Sequence, residues 1–422
     1  MLIEFRVKNY RSIRDMQELN LRRAGNGTRS RIAVDEDERV DLDVTPVAAI
    51  YGANASGKST VLSALEYVRE TVRSSARSEA GTPIPVEYFR LDPQGAHNSF
   101  VCELIFRHNE SDYRYGFEIR EGEVTEEHLH QTLLNTSRRT ETMLFRRSGQ
   151  EIVPGARLGG PKAAIIRATR PNSLFLSKAA QENHPLLTSI YAWFQTGQIA
   201  LDPKAVISEL ESDEELRHRV ASLLYVADIG VQDLSIERPP TRPPLSFVKQ
   251  VAGSEDAIAL QQAEELLMRM NARVVLSHHG VNGQSYPLPW GLESDGTKEF
   301  LSLLVYTQRI LKSGGQLLMD EISSLHPLLV RAIIEMFQSR SWNPHGAQLL
   351  FTTHDISLLG DFGGTGYILD RDQIWFTEKS VEGVTEIIPL TDFHPRNTED
   401  IEKAYIMGRF GAIPALDQLL EQ

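Results

Sequence analysis

Residues 49–68 read AIYGANASGKSTVLSALEYV, and the fold turns on the centre of that stretch. Gly52, Ala53, Asn54, Ala55, Ser56, Gly57, Lys58 and Ser59 run from one glycine to another and close on a lysine beside a hydroxyl. Successive backbone N–H groups point inward at an anion only where the chain turns sharply, and glycine at both ends permits that turn. The apolar VAAIY ahead of the loop reads as a strand, while Val61, Leu62, Leu65, Val68 and Val72 behind it recur at helical spacing. Strand, glycine loop and amphipathic helix together make a phosphate-binding P-loop with the positive helix end facing the phosphates. Lys58 is placed to reach the β- and γ-phosphates of ATP and Ser59 to ligate Mg2+, and the contact set extends to Thr60.

Three downstream stretches carry matching chemistry. In GGQLLMDEISSLHP (314–327) an apolar strand ends in Asp320 and Glu321. Asp320 suits magnesium held through its water shell, and Glu321, one step on, can polarise an attacking water. In LLFTTHDISLL (349–359) His354 closes another apolar strand, where it either senses the γ-phosphate or caps the next turn. In LESDGTKEFLSLL (292–304) Ser294 and Gly296 open a helix, which makes a second phosphate-binding end. The chain already has its own P-loop, so this second end needs a second chain. The other histidines, including His278 and His279, lack metal-ligand spacing and read as structural.

The 422 residues carry 41% hydrophobic and 24% charged side chains, the composition of a globular protein with a large core. No apolar run reaches the length of a membrane span and the N-terminus lacks a signal-peptide pattern, so a cytosolic protein is expected. Cys102 alternates with Phe100, Leu104 and Phe106 and is expected to face a sheet core. A net charge of −13 opposes general attraction to nucleic acid. LRRAGNGTRSR, SRRT and FRRSG either gather into a local basic patch or form solvated loops. The spacing of Tyr113, Tyr115, Phe117 and Ile119 predicts an antiparallel sheet over about 100–145. Helical periodicity then prevails between about 174 and 272, broken by ERPPTRPP, a linker or a ligand for a partner. Beyond 286, strand and helix alternate as in a parallel sheet. The expected domains are 1–173, the N-terminal half of the nucleotide unit; 174–285, a mainly helical insertion; and 286–422, its C-terminal half.

P-loop, serine–glycine helix start, Asp-Glu strand and strand-end histidine, in that order, resemble ATP-binding-cassette ATPases. The resemblance implies an α/β P-loop head, split in sequence by a helical insertion and carrying an antiparallel sheet. It implies a homodimer, or a higher oligomer, in which Ser294 and Gly296 act in trans on the ATP held by the other copy. Glu321 would be the catalytic base, His354 the switch histidine, and SSLHP the loop crossing the interface. The signature departs from the transporter pattern, because Asp295 and Thr297 flank Gly296; Gln94 is only a candidate for the glutamine loop. Lys58 and Ser294 stand 236 residues apart, wider than in a transporter head, which points to the SMC/RecF/OLD branch.

Within that branch FRVKNYRSIRD, YGANASGKST, VEYFRLD, ESDGTKEF, LLMDEISSLHP, LLFTTHD, RDQIWFTEK and IEKAYIMGRFGAIP resemble AAA-type ATPases of bacterial phage-defence and abortive-infection modules. This resemblance implies nucleotide contacts from Arg11 and Ser12, and a separate effector protein, a nuclease or toxin, that the ATPase holds and releases. The alternatives are a RecF-like repair ATPase that binds nucleic acid and an OLD-like nuclease using Asp370 and Asp372. Only about seventy residues follow His354, too few for an added nuclease domain.

Overall fold

The computed structural model describes the chain apart from residues 25–42, 94, 136–138, 199–202, 228–229, 238–244, 255, 271–272, 323–324, 362–365, 397 and 413–422. Gln94, Ser323, Ser324, most of the first arginine-rich stretch, part of the second and the proline motif therefore lie outside the described residues.

Strands β1 (Leu2–Lys8) and β2 (Gln17–Asn20) precede β3 (Val47–Gly52), which passes through the glycine loop into helix α1 (Lys58–Ser74). A meander follows: β4 (Phe100–His108), β5 (Ser111–Arg120), β6 (Glu123–Leu133), β7 (Glu141–Ser148) and β8 (Glu151–Pro154). Helices α2 (Ala163–Ala168), α3 (Phe175–Gln181) and α4 (Pro185–Gln195) lead to the short β9 (Gly197–Gln198). Next come α5 (Pro203–Ser212), α6 (Glu214–Val226), β10 (Val231–Glu237), α7 (Leu245–Ala252), α8 (Ala257–Met270), β11 (Arg273–His279) and β12 (Ser285–Pro289). The chain continues through α9 (Asp295–Ser313), β13 (Gln316–Met319), α10 (Pro327–Gln338), β14 (Gln348–Thr352), β15 (Ile374–Lys379), β16 (Thr385–Pro389) and α11 (Ile401–Ile406).

Contacts divide the chain into two compact units, Met1–Ile199 with Ile310–Gln422, and Ala200–Arg309. The sequence placed the first boundary at 174, but α3 and α4 belong to the first unit. Trp193 of α4 stacks on Phe106 of β4 at 4.2 Å, and Leu174, Phe175, Leu187 and Phe194 are wholly buried in the same core. The second boundary falls inside α9 rather than at 285. The intervening unit is also less helical than its periodicity implied. It contains an antiparallel sheet in the order β10-β11-β12, because Val231, Leu234, Val274 and Leu276 bury one face.

In the first unit the sheet that bears the site has the order β16-β15-β3-β14-β13-β9. Its strands pair in parallel except β15 with β16. Every residue of β3 is buried, as expected for a central strand covered on both faces. Val61, Leu62, Leu65, Val68 and Val72 of α1 are buried as their spacing predicts. Arg69, on the same helix, is wholly buried; it donates to Gln316 of β13, lies 5.7 Å over the Trp193 ring, and burial lowers its pKa to about 10.

The second sheet of this unit, β2-β1-β4-β5-β6-β7-β8, is antiparallel throughout. Cys102, Tyr113, Tyr115, Phe117 and Ile119 point into its core as expected. A buried amide ties the two sheets together. Gln348 of β14 accepts the Leu2 N–H at 2.5 Å and donates to the Leu2 carbonyl at 2.8 Å. A second tie is Glu127 of β6, fully buried, which accepts the N–H groups of Phe175 and Leu176 at 2.6 and 3.0 Å and the Tyr115 hydroxyl at 2.9 Å. It thereby caps α3 with a carboxylate, and Arg147 stands 3.7 Å away as its counter-ion.

Candidate functional site

The loop between β3 and α1 has the conformation that its glycines allow. Gly57, the N-cap of α1, sits at φ 108°, and a Cβ there would lie 2.2 Å from Thr385 Oγ1. A Cβ on Gly52 would lie 2.4 Å from both Ser56 Oγ and Thr377 Oγ1. Both positions therefore exclude a side chain, and Gly57 is also in backbone territory that other residues enter at a cost. Ala55 has φ 64°, so the loop holds a second left-handed residue two positions before Gly57. Asn54, Ala55 and Ser59 are exposed, whereas Ser56 is buried and shares a 2.6 Å hydrogen bond with Thr377. The Ser56 side chain therefore braces the loop, and only its backbone remains for a ligand.

Lys58 curls back over the loop. Its ammonium donates to the carbonyls of Gly52 and Ala53 at 2.9 and 3.0 Å and stands 2.9 Å from His354 Nε2. Burial pulls its pKa below the ordinary lysine range, a shift opposed by the charges of Glu321 and Asp320. Ser59 donates to Asp320 Oδ1 at 2.8 Å, and the same oxygen accepts the Thr352 hydroxyl at 2.7 Å. Thr352 Oγ1 in turn accepts the Glu321 N–H at 2.8 Å. Glu321 has φ 59°, a left-handed conformation that is costly for glutamate, and its carboxylate lies 3.6 Å from His354. His354 thus faces the loop, and Asp355 does the capping, accepting the Ser357 N–H at 2.9 Å.

These residues come together because β3, β13 and β14 are parallel neighbours, so their C-terminal ends open on one edge of the sheet. The hydroxyl of Ser59 and the carboxylate of Asp320 form a pair of hard oxygen donors. Among the described residues no group of three or more His, Cys, Asp or Glu is placed to hold a metal. Such a sparse oxygen set fits magnesium, which takes one or two protein oxygens and completes its shell with water and substrate phosphates.

Beside the loop is a cavity of about 290 Å³ lined by Arg11, Ser12, Ala55, Gly57, Lys58, Ser59, Thr60 and Lys379. Ser12 accepts from Thr385 at 2.8 Å and lies 3.2 Å from Thr60 Oγ1. Arg11 is held by a bidentate pair with Glu87 at 2.8 and 3.2 Å and by Ser63 at 3.0 Å. That pairing holds the Glu87 carboxyl below its usual range.

Thr352, Thr377, Lys379 and Thr385 carry no motif that marks them in the sequence. Two of them sit in IWFTEK, but strand threonines and lysines are too common to stand out.

In the other unit, Ser294, Asp295 and Gly296 are exposed at the start of α9. Ser294 Oγ accepts the Thr297 N–H at 3.1 Å. Among the described residues a Cβ on Gly296 would meet only Ser294 Oγ, at 3.9 Å, so none of them demands glycine there. Buried Glu293 anchors the segment through His278 at 2.8 Å, so His278 has the carboxylate partner that its spacing did not reveal. Asp370 and Asp372 are buried, and the Gln373 side chain accepts the Asp370 N–H at 2.8 Å as part of a capping box.

A family model described as "AAA domain, putative AbiEii toxin, Type IV TA system" matches residues 47–360. Comparison with curated proteins found no match. Among solved structures, the SMC head domain from Thermotoga maritima is 12% identical, covering 92% of this chain and 98% of its own at a TM-score of 0.38. An SMC head bound to the C-terminal winged-helix domain of ScpA is 11% identical, with 92% and 97% covered and a TM-score of 0.42. An SMC head with coiled coil and joint from Pyrococcus yayanosii is 8% identical, with 92% and 96% covered and a TM-score of 0.33. The family match spans the P-loop, the Asp-Glu strand and the strand-end histidine, and the chain belongs to this family of AAA domains.

Proposed function

We propose that the chain binds ATP with magnesium and hydrolyses it in a homodimer that shares two nucleotides. The observation that carries this reading is the meeting of Lys58, Ser59, Asp320, Glu321 and His354, drawn from three distant segments, at one sheet edge. Lys58 grips the β- and γ-phosphates, and the N–H groups from Gly52 to Thr60 cradle them. Magnesium, when held by Ser59 and Asp320, neutralises charge on the phosphate oxygens. Glu321 orients and deprotonates the attacking water, with His354 beside it at the γ-phosphate position. Arg11 and Ser12 line the approach. No helix among the described residues is long and apolar enough to cross a membrane, and the setting proposed is the cytosol.

The exposed Ser294–Gly296 turn supports completion of each site by the other copy, because its glycine has no steric reason among the described residues of its own chain. The family description supports a defence role, in which the nucleotide cycle makes the dimer a sensor and scaffold for a separate nuclease or toxin. The burial of Asp370 and Asp372 weighs against a nuclease within this chain.

Complementation tests the shared site. Lys58→Ala and Ser294→Arg each abolish hydrolysis alone. Mixed in equal amounts they should recover about a quarter of wild-type turnover, since half the dimers are mixed and each has one intact site. No recovery in a mixture shown to exchange subunits would overturn the trans arrangement.

A further inference from the structure

A second cavity, of about 280 Å³, adjoins the P-loop cavity and shares Arg11, Ser12 and Lys379 with it. Its remaining walls are Glu87, Tyr88, Phe89, Arg90, Leu91 and Gly383. The P-loop cavity alone, about 290 Å³, lies at the lower edge of the roughly 300–1,000 Å³ usual for ligand sites, so a whole nucleotide needs room beyond it.

The wall of the second cavity is fixed from behind. Buried Asn9, at φ 57°, donates to the carbonyls of Gly95 and Asn98 at 2.9 and 2.8 Å and accepts the Phe89 N–H at 3.1 Å. Arg11, at φ 48°, donates its own N–H to the Glu87 carbonyl at 2.6 Å. Two left-handed residues in the NYRS turn thus hold Glu87 and Phe89 in place, a strained arrangement of the kind that accumulates at ligand sites. Leu91 is 70% exposed and leans over Gly383, where a Cβ would come within 2.3 Å of its methyl group. Arg11 is committed to Glu87, whereas Lys379 is exposed and has no ion-pair partner among the described residues.

We propose that the groove from Lys379 to Leu91 holds the nucleoside half of the triphosphate. Lys379 takes the phosphate next to the sugar, and Leu91, seated on Gly383, is the apolar rest for the base. This assignment rests on the reading of the P-loop as the triphosphate site.

Calorimetric titration of the full chain with ATP, and separately with inorganic tripolyphosphate, tests both levels. Leu91→Ser should weaken ATP about tenfold, a loss of about 1.4 kcal/mol, and leave tripolyphosphate unchanged. Lys379→Ala should weaken both ligands at least tenfold, by about 1.4 kcal/mol or more. Wild-type ATP affinity in both variants, with binding lost in Lys58→Ala, would overturn the groove and spare the P-loop. Equal weakening of both ligands by Leu91→Ser would overturn the base rest. Unchanged ATP binding in Lys58→Ala would remove the underlying reading and the groove with it.

Discussion

The ammonium of Lys58 lies 2.9 Å from Nε2 of His354, although 296 residues separate them in the chain. One side chain begins the helix after the glycine loop and the other ends the region of a neighbouring parallel strand, so the contact exists only once β3 and β14 have paired. Desolvation lowers the pKa of this lysine, and the charges of Glu321 and Asp320 oppose that shift.

Lys58→Ala should therefore remove nucleotide binding while leaving the fold. Wild type, with ATP–magnesium at a hundredfold excess over Kd, gains about 2.7 kcal/mol of stability from ligand linkage. The variant should show no nucleotide-dependent rise in melting temperature by scanning calorimetry.

Glu321 is held by its backbone, through Thr352, while its carboxylate stands 3.6 Å from His354. Glu321→Gln should bind ATP normally and lose about 10²–10⁴-fold in turnover, the usual worth of a positioned base. His354→Ala should also bind and turn over slowly. Steady-state phosphate release together with equilibrium ATP binding separates these outcomes from a folding defect.

Gly57 combines a positive φ with a wall of threonine. Gly57→Ala should cost about 1–3 kcal/mol from backbone strain alone, with the clash against Thr385 added. Thr385→Ala in the same background removes the contacts with Oγ1 and Cγ2 but keeps a Cβ 2.9 Å away, so it should relieve only part of the clash and none of the strain. Urea midpoints of the two variants measure the difference.

Glu127 links the antiparallel sheet to α3, with Arg147 beside it. Glu127→Ala leaves a buried guanidinium without its carboxylate and should cost about 3–5 kcal/mol in urea unfolding. Burial raises the Glu127 pKa above the ordinary glutamate range. Within that window the folded state keeps a proton that the unfolded chain has released, so this group's contribution to stability falls as pH rises through it. Glu127→Gln does not titrate and should flatten that part of the stability–pH curve.

The glycine loop, the Asp-Glu strand end and the strand-end histidine were legible because each is a local pattern with a chemical reason for its spacing. Domain limits were less legible. Periodicity identifies α3 and α4 as helices, but Trp193 shows which core they join only when it meets Phe106. The sheet of the second unit was hidden for a similar reason: β10 and β11 are short runs, and short apolar runs do not distinguish strand from helix.

By itself the sequence determined that this chain carries a phosphate loop, and which carboxylates and histidine accompany it. Only the tertiary structure decided that Ser59 meets Asp320, that Ser56 braces Thr377 rather than facing a ligand, and that Arg11 is tied to Glu87 while Lys379 has no ion-pair partner among the described residues. Local patterns such as the glycine loop and helical spacing are set by neighbouring residues, whereas side-chain partners depend on which strands pair, and that is fixed by burial across the whole core.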